Sequence, residues 1–439
     1  MSYSSSAENT NFDQITSSLE IRLSGSDGDK ETSYFRGSDS TTEISVSTQD
    51  INVISISKLP LLAKVSKSKR EPLFISKLRQ CSRIFQFLES ETETKERQLK
   101  TQILIELYNF ISSPTFDLSI NCYKEIIIMF SNNVFQTLIN YEMEYENSTE
   151  MKSSLLPAWP HLQLVYDFFL RFLEQKKLNT NFAIEVISKQ FISQLIDLFC
   201  SFDHRERGKL MLILHKIYFL FNPLRLFIRN KIYGVFYRII EKPINFNGIS
   251  ELLQVLSSVI SGFLLPLKNE HKICLENYFL PLLKTKNLDQ FHISWTKCIV
   301  SFMDKDSTLT EKVVNSLLES WPKHCNLVEL VFLDILEKIL NNIEFREFLK
   351  VRDKLLKQIV DCVNSSHYLI TERTLNFWNN IIIIHLLESE HKLLMPILIP
   401  VLRKISTKHW NEHVVARANH ILFRIKSENN ILYDEFILN

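Results

Sequence analysis

Beyond residue 72 the chain holds four glycines, Gly208, Gly234, Gly248 and Gly262; three more, Gly25, Gly28 and Gly37, lie near its start. A β-sandwich or a doubly wound sheet turns repeatedly through φ > 0, and glycine is the residue that supplies such turns. A chain this poor in glycine is therefore expected to be all-α. The apolar pattern agrees. In WPHLQLVYDFFLRFLE (159–174), Leu162, Val165, Phe168, Phe169, Phe172 and Leu173 recur at helical spacing. Pro160 suits a first helical turn, where its missing N–H costs nothing. Thr308 and Glu311 have the spacing of a capping box before Val313, Val314, Leu317 and Leu318. Asn222 and Pro223 divide one predicted helix from the next.

Similar apolar helices begin near residues 191, 227, 271, 309, 348 and 393, a spacing of roughly 36 to 45 residues, that of a two-helix HEAT or armadillo repeat. One helix pair has too little apolar face to fold alone, whereas stacked pairs make a continuous core. The pattern predicts an α-solenoid of about eight HEAT-like helical hairpins over 72–439. Residues 1–71 differ: SYSSSAENT, SGSDGDKETS and GSDSTTEISVSTQD are rich in Ser, Thr and Asp. They read as a disordered tail whose hydroxyls are open to phosphorylation. KVSKSKR (64–70) is a short basic run, read as a solvated linker or as a nuclear-import signal.

The chain has 439 residues, is 45% hydrophobic and carries a net charge of +1. It can bury a large core, and it has no general field for nucleic acid or an anionic membrane. Seven widely spaced cysteines without a CxxC predict a reducing compartment and no disulfide framework or zinc site. The first residues, MSYSSSAENT, lack the apolar core of a secretory signal. The apolar runs IIIIHLL (381–387) and LLMPILIPVL (393–402) are too short to span a bilayer. A cytoplasmic or nuclear protein, or one found in both places, is expected.

Motifs for chemistry are missing. Gly208–Lys209 has no upstream glycine at phosphate-loop spacing, and there is no GxGxxG or GxSxG. In HWNEHVVARANH, His409 and His413 are four apart and His420 follows, but the glutamate of HExxH is absent from the second position, so surface or hydrogen-bonded histidines are expected. No cofactor is implied and no catalytic group stands out.

The stretch HKIYFLFNPLRLFIR (215–229) does stand out, because it has no acidic residue. On a helix His215 and Tyr218, three apart, share a face; Arg225 and Arg229, four apart, share a face of the next helix. Val255 and Val259 are again four apart, with Lys268 and His271 beyond them. Two readings stand. The valines are core and the cations solvated, or the repeats form a groove with small apolar pockets and a basic rim. Such a groove suits a short extended peptide with spaced aliphatic side chains and a carboxylate held by arginine at two points.

Longer stretches carry a resemblance. KLRQC (77–81), AWPHLQLVYDFFLRFLE (158–174), RERGKL (205–210), HKIY (215–218), NGISELLQVLSSVISGFLLPLKNEHK (247–272), DKDSTLTEKVV (304–314), WPK (321–323) and FWNN (377–380) resemble the B′ (B-prime) family of protein phosphatase 2A regulatory subunits. The likeness runs from about residue 72 to the end of the chain. It implies a non-catalytic α-solenoid of eight HEAT-like repeats that joins a phosphatase scaffold subunit and a catalytic subunit. It also implies substrate choice through Leu-x-x-Ile-x-Glu motifs and hence directed Ser/Thr dephosphorylation. By that resemblance the peptide pocket falls on His215, Lys216, Tyr218, Arg225, Arg229, Val255, Val259, Lys268 and His271. Family members usually have Arg in place of Lys216 and Ile in place of Val255 and Val259. Lysine cannot make a planar two-point contact, and the smaller valines shift the preference among aliphatic anchors by about 1–3 kcal/mol at most. The segment EMEYENSTEMKSS (142–154) and the tail match no family feature. The alternative function is an α-solenoid adaptor that binds acidic peptides without a phosphatase.

Overall fold

The computed structural model describes residues 56–85, 91–113, 117–135, 158–242 and 246–428. Every regular element among them is helical. Eighteen α-helices follow in order: α1 (Lys67–Cys81), α2 (Glu91–Ile111), α3 (Ile120–Val134), α4 (Trp159–Leu173), α5 (Thr180–Val186), α6 (Lys189–Asp197), α7 (His204–Leu220), α8 (Arg225–Glu241) and α9 (Ile249–Ser261), then α10 (Asn269–Cys274), α11 (Leu288–Lys305), α12 (Thr310–Glu319), α13 (Asn326–Leu340), α14 (Phe345–Val363), α15 (Tyr368–Leu375), α16 (Ile381–Ser389), α17 (His391–Lys408) and α18 (Glu412–Glu428). No single described helix is long and apolar enough to cross a membrane.

The packing order makes this a solenoid. In one layer α2, α4, α7, α9, α11, α13, α15 and α18 each lie against the next in that series. In the other, α1 packs on α3, α3 on α5, α6 on α8, α8 on the segment 275–284, that segment on α12, α12 on α14 and α14 on α17. A helix therefore touches the element one repeat away, and the pairs number eight, as the apolar period predicts. Side-chain bonds between repeats keep the same spacing. Arg207 Nε reaches Glu251 at 2.9 Å across 44 residues, Ser250 and Ser294 meet at 2.9 Å across 44, and Arg373 Nε reaches Asp334 at 2.7 Å across 39.

Local sequence explains the breaks between helices. Pro160 stands in the first turn of α4. A 3-10 turn, Asn222–Leu224, with Pro223 in it, separates α7 from α8. Ahead of α12 the expected Thr308–Glu311 box does not form. Asp306 caps instead, taking the Thr308 N–H at 3.1 Å, because a 3-10 turn over Ser307–Leu309 precedes the helix. Of the tail expected over 1–71, residues 1–55 lie outside the described residues. Ile56 and Leu62 are already buried in the core, and α1 starts at Lys67, ahead of the predicted boundary. The segment 142–154 also lies outside the described residues.

Candidate functional site

The nine residues singled out from sequence come from three successive hairpins of the solenoid. His215, Lys216 and Tyr218 occupy the last two turns of α7, and Arg225 and Arg229 the first two of α8. Val255 and Val259 lie on α9, Lys268 immediately precedes α10, and His271 is within it. Since α7 packs on α9 and α8 on the segment that continues α10, the three hairpins are consecutive neighbours.

Three of the nine are joined directly. Arg225 Nε donates to the Tyr218 carbonyl at 2.9 Å, and its Nη2 donates to the Phe219 carbonyl at 3.1 Å. These are carbonyls at the C-terminal end of α7, which lack intrahelical partners, so the guanidinium caps that end. Its Cζ also lies 5.5 Å from the centre of the Tyr218 ring. Arg229 Nη1 donates to the Tyr218 hydroxyl at 2.9 Å. Burial works to lower the Arg229 pKa, but Tyr218, Tyr233 and Glu270 outweigh it and the pKa is raised. Arg229 and His271 sense each other: burial first, then Arg229 and Lys268, push the imidazole down to about 4. His271 is therefore neutral at pH 7 and stacks flat on Phe263, centre to centre 3.8 Å. His215 is likewise lowered, by burial and then by Lys216, and its ring lies 4.6 Å from that of Phe219.

The positive charge of the site accordingly comes from guanidinium and ammonium groups. Between Glu206 and Glu241 the chain has no acidic residue and seven Lys or Arg. Four of these find carboxylates elsewhere: Arg207 on Glu251, Lys209 on Asp167, and Lys231 and Arg238 on Asp197. The other three are Lys216, Arg225 and Arg229, and Lys268 joins them. Among the described residues none of these four has a carboxylate within ion-pair distance. Glu270, one of the groups that raise the Arg229 pKa, contacts His271 at 3.5 Å.

Two expectations change. Val255 and Val259 are only 1% and 4% exposed, so they form a floor that packs into the core and not open pocket walls. The Nε–H and one Nη2–H of Arg225 are occupied by backbone carbonyls, which leaves Nη1 and the other Nη2–H for a ligand and removes the side-on two-point clamp. Sequence reading also passed over two aromatic neighbours. Phe219, four residues after His215, was visible from helical spacing. Phe263 lies in the loop after α9, and no periodicity marks it. Elsewhere, His409 Nδ1 accepts the Asn411 N–H at 3.1 Å, which suits a turn, and no group of three candidate metal ligands occurs among the described residues.

Comparison with known proteins places this architecture. The family model described as the protein phosphatase 2A regulatory B subunit (B56 family) matches residues 59–439. The alpha isoform of the serine/threonine-protein phosphatase 2A 56 kDa regulatory subunit from Mus musculus is 41% identical over 377 residues, covering 86% of this chain and 78% of that one. The beta isoform from Homo sapiens is 40% identical over 384 residues, with 88% and 77% covered. A serine/threonine-protein phosphatase 2A regulatory subunit from Caenorhabditis elegans is 40% identical over 378 residues, with 86% and 70% covered. The match spans all eight hairpins and the whole basic cluster, and on it the chain belongs to the B56 family of protein phosphatase 2A regulatory B subunits, the class its sequence resembles.

Proposed function

We propose that this regulatory subunit selects substrates for the phosphatase by holding short Leu-x-x-Ile-x-Glu-type motifs at the junction of α7, α8, α9 and α10, while scaffold and catalytic subunits supply the remainder of the enzyme. The observation that carries this reading is the set of four cations, Lys216, Arg225, Arg229 and Lys268, that meet no carboxylate within ion-pair distance among the described residues. Clustered cations repel one another, and an incoming acidic group relieves that cost. Lys216 and Lys268 act as point charges; the Nη groups of Arg225 and Arg229 add directional donors. Val255 and Val259, packed into the core, support the helix face beneath the site while the motif's glutamate meets the basic rim.

Charge reversal tests the reading. Arg225→Glu abolishes binding of such a peptide in a fluorescence titration, since a fully desolvated charge contact is worth about 2–5 kcal/mol, which erases a micromolar interaction. Arg225 also caps α7, so Lys216→Glu is the cleaner variant, and it weakens binding at least tenfold with unchanged circular dichroism. Unchanged affinity in Lys216→Glu moves the site elsewhere. Co-purification with scaffold and catalytic subunits distinguishes this function from a phosphatase-free adaptor, which would bring down neither.

A further inference from the structure

Leu212, His215 and Phe219 stand at i, i+3 and i+7 on α7 and so share one face of it. Leu212 and Phe219 are each 48% exposed, whereas Leu210, Ile213, Leu214 and Ile217 on the opposite face are fully buried. The His215 ring leans on Phe219 at 4.6 Å, and Leu212 lies one turn before His215 on the same face, so the three line an apolar strip along about two turns. Single exposed apolar residues are ordinary on a protein surface. This strip is different because of where it ends: Arg225 donates to the carbonyl of Phe219 itself, and Lys216 follows His215 in the chain. A strip that runs from a cluster of uncompensated cations is continuous with whatever acidic ligand that cluster holds.

We propose that this strip seats a bulky apolar side chain of the docked peptide, placed outside the Leu-x-x-Ile-x-Glu core, so that the targets of this subunit are acidic motifs with one flanking aromatic or aliphatic residue. The proposal rests on the peptide-binding reading above and adds to it a selection rule. His215 fits the role because its ring is held neutral by burial, and a neutral ring beside Phe219 is an apolar contact and not a further charge. Leu212 sets the far end of the seat, nearly two helical turns or about 10 Å along the helix axis from Phe219. That distance is spanned by three extended peptide residues. The selected residue therefore lies within a few positions of the core, on one side of it only.

The experiment uses the full-length chain and three fluorescent peptides: the acidic core with Gly and Ser flanks, the same core with a Phe in the upstream flank, and the same core with a Phe in the downstream flank. Wild type is expected to bind one flanked peptide about tenfold more tightly than the plain core, the scale of one partly buried apolar side chain. Phe219→Ser, and separately Leu212→Ser, erase that gain while leaving the plain core within twofold of wild type. Both positions are surface-exposed, so circular dichroism is expected to be unchanged. Equal binding of all three peptides to wild type, or a gain that survives Phe219→Ser, overturns the proposal while leaving the core reading intact. No binding of any peptide overturns both. Concentration-dependent dimerisation that Phe219→Ser abolishes, seen by analytical ultracentrifugation, assigns the strip to a second copy of the chain and overturns the proposal as well.

Discussion

Gly248 has no room for a side chain. A Cβ built there falls 2.5 Å from the Phe199 carbonyl oxygen and 2.6 Å from the Phe199 Cβ, both of them atoms that cannot swing away. Gly248→Ala is expected to destabilise the α8–α9 hairpin by about 1–3 kcal/mol, as overpacking of a tight contact does. Gly208, inside α7, meets nothing within 4 Å, so Gly208→Ala should stabilise by about 0.5–1 kcal/mol through helix propensity. Urea denaturation of the two variants checks both signs. Glu206, fully buried, is a different kind of residue. Its carboxylate takes hydrogen bonds from Tyr166 at 2.9 Å and Ser201 at 2.6 Å, and no cation among the described residues touches it. Arg205 faces Asp203, and Arg207 faces Glu251 and the Ser201 and Phe202 carbonyls. Burial pushes its pKa up to about 7; the two hydroxyls and Arg207 oppose the rise and Asp203 adds to it. The folded form thus holds this proton more tightly than the unfolded chain does, and the carboxyl costs stability as pH rises from about 4.5 through 7. Glu206→Gln should match wild type near pH 4.5 and become the more stable of the two by pH 8. At about 1.4 kcal/mol per pKa unit the gap is a few kcal/mol at most. A gap that narrows as pH rises contradicts this account.

Among the elements, the stretch after α10 is the least regular, and its irregularity is held from outside. Leu275–Phe279 is a π-helical turn and Leu280–Lys284 a 3-10 turn with Pro281 in it. The Phe279 carbonyl accepts from the indole N–H of fully buried Trp295 on α11 at 2.7 Å. Trp295→Phe keeps most of the ring and removes the donor, which leaves a buried carbonyl unsatisfied at a cost of about 1–3 kcal/mol. Amide hydrogen exchange should report that loss as faster exchange confined to 275–284 and its packing neighbours; a uniform change along the chain would contradict a local role. Elements were also where sequence reading met its bounds. Helix type and repeat period were legible because apolar spacing records which face is buried. The Thr308–Glu311 cap was misassigned because a 3-10 turn over Ser307–Leu309 moves the start of α12 to Thr310, one residue past where a Thr308 cap would put it, which spacing does not register. The Val255–Val259 pair was ambiguous for a related reason: four-residue spacing places both on one face without saying whether that face is core or groove. Burial decides for core. The polar members of the site were legible because cations without nearby acids are rare in an apolar stretch, and that signal does not depend on the fold.

At the scale of the molecule, the described helix pairs pack chiefly on their neighbours. From about residue 197 on, side-chain bonds between repeats span 33 residues (Cys362–Glu329) to 47 (Asn247–Cys200), and nearer the start they reach 64 (Gln175–Ile111). Such an array has no single nucleus, and lesions in one repeat are felt mainly by the adjacent ones. The basic cluster lies on the third, fourth and fifth hairpins, so the proposed peptide site would leave the remaining hairpins for the subunits of the phosphatase. In the proposed site the positive charge belongs to Lys and Arg, with both histidines of the cluster held down, so peptide affinity should stay nearly flat between pH 8 and pH 6.5 and fall as salt rises. The central claim, that this subunit reads an acidic motif through cations left without acidic partners, is tested most directly by calorimetric titration of a Leu-x-x-Ile-x-Glu peptide into wild type and Lys216→Glu, each assembled with scaffold and catalytic subunits. The account predicts saturable one-to-one binding to the wild-type complex and at least a tenfold loss in the variant, with both complexes assembling equally. Equal affinities in the two complexes, or no binding to either, would contradict it.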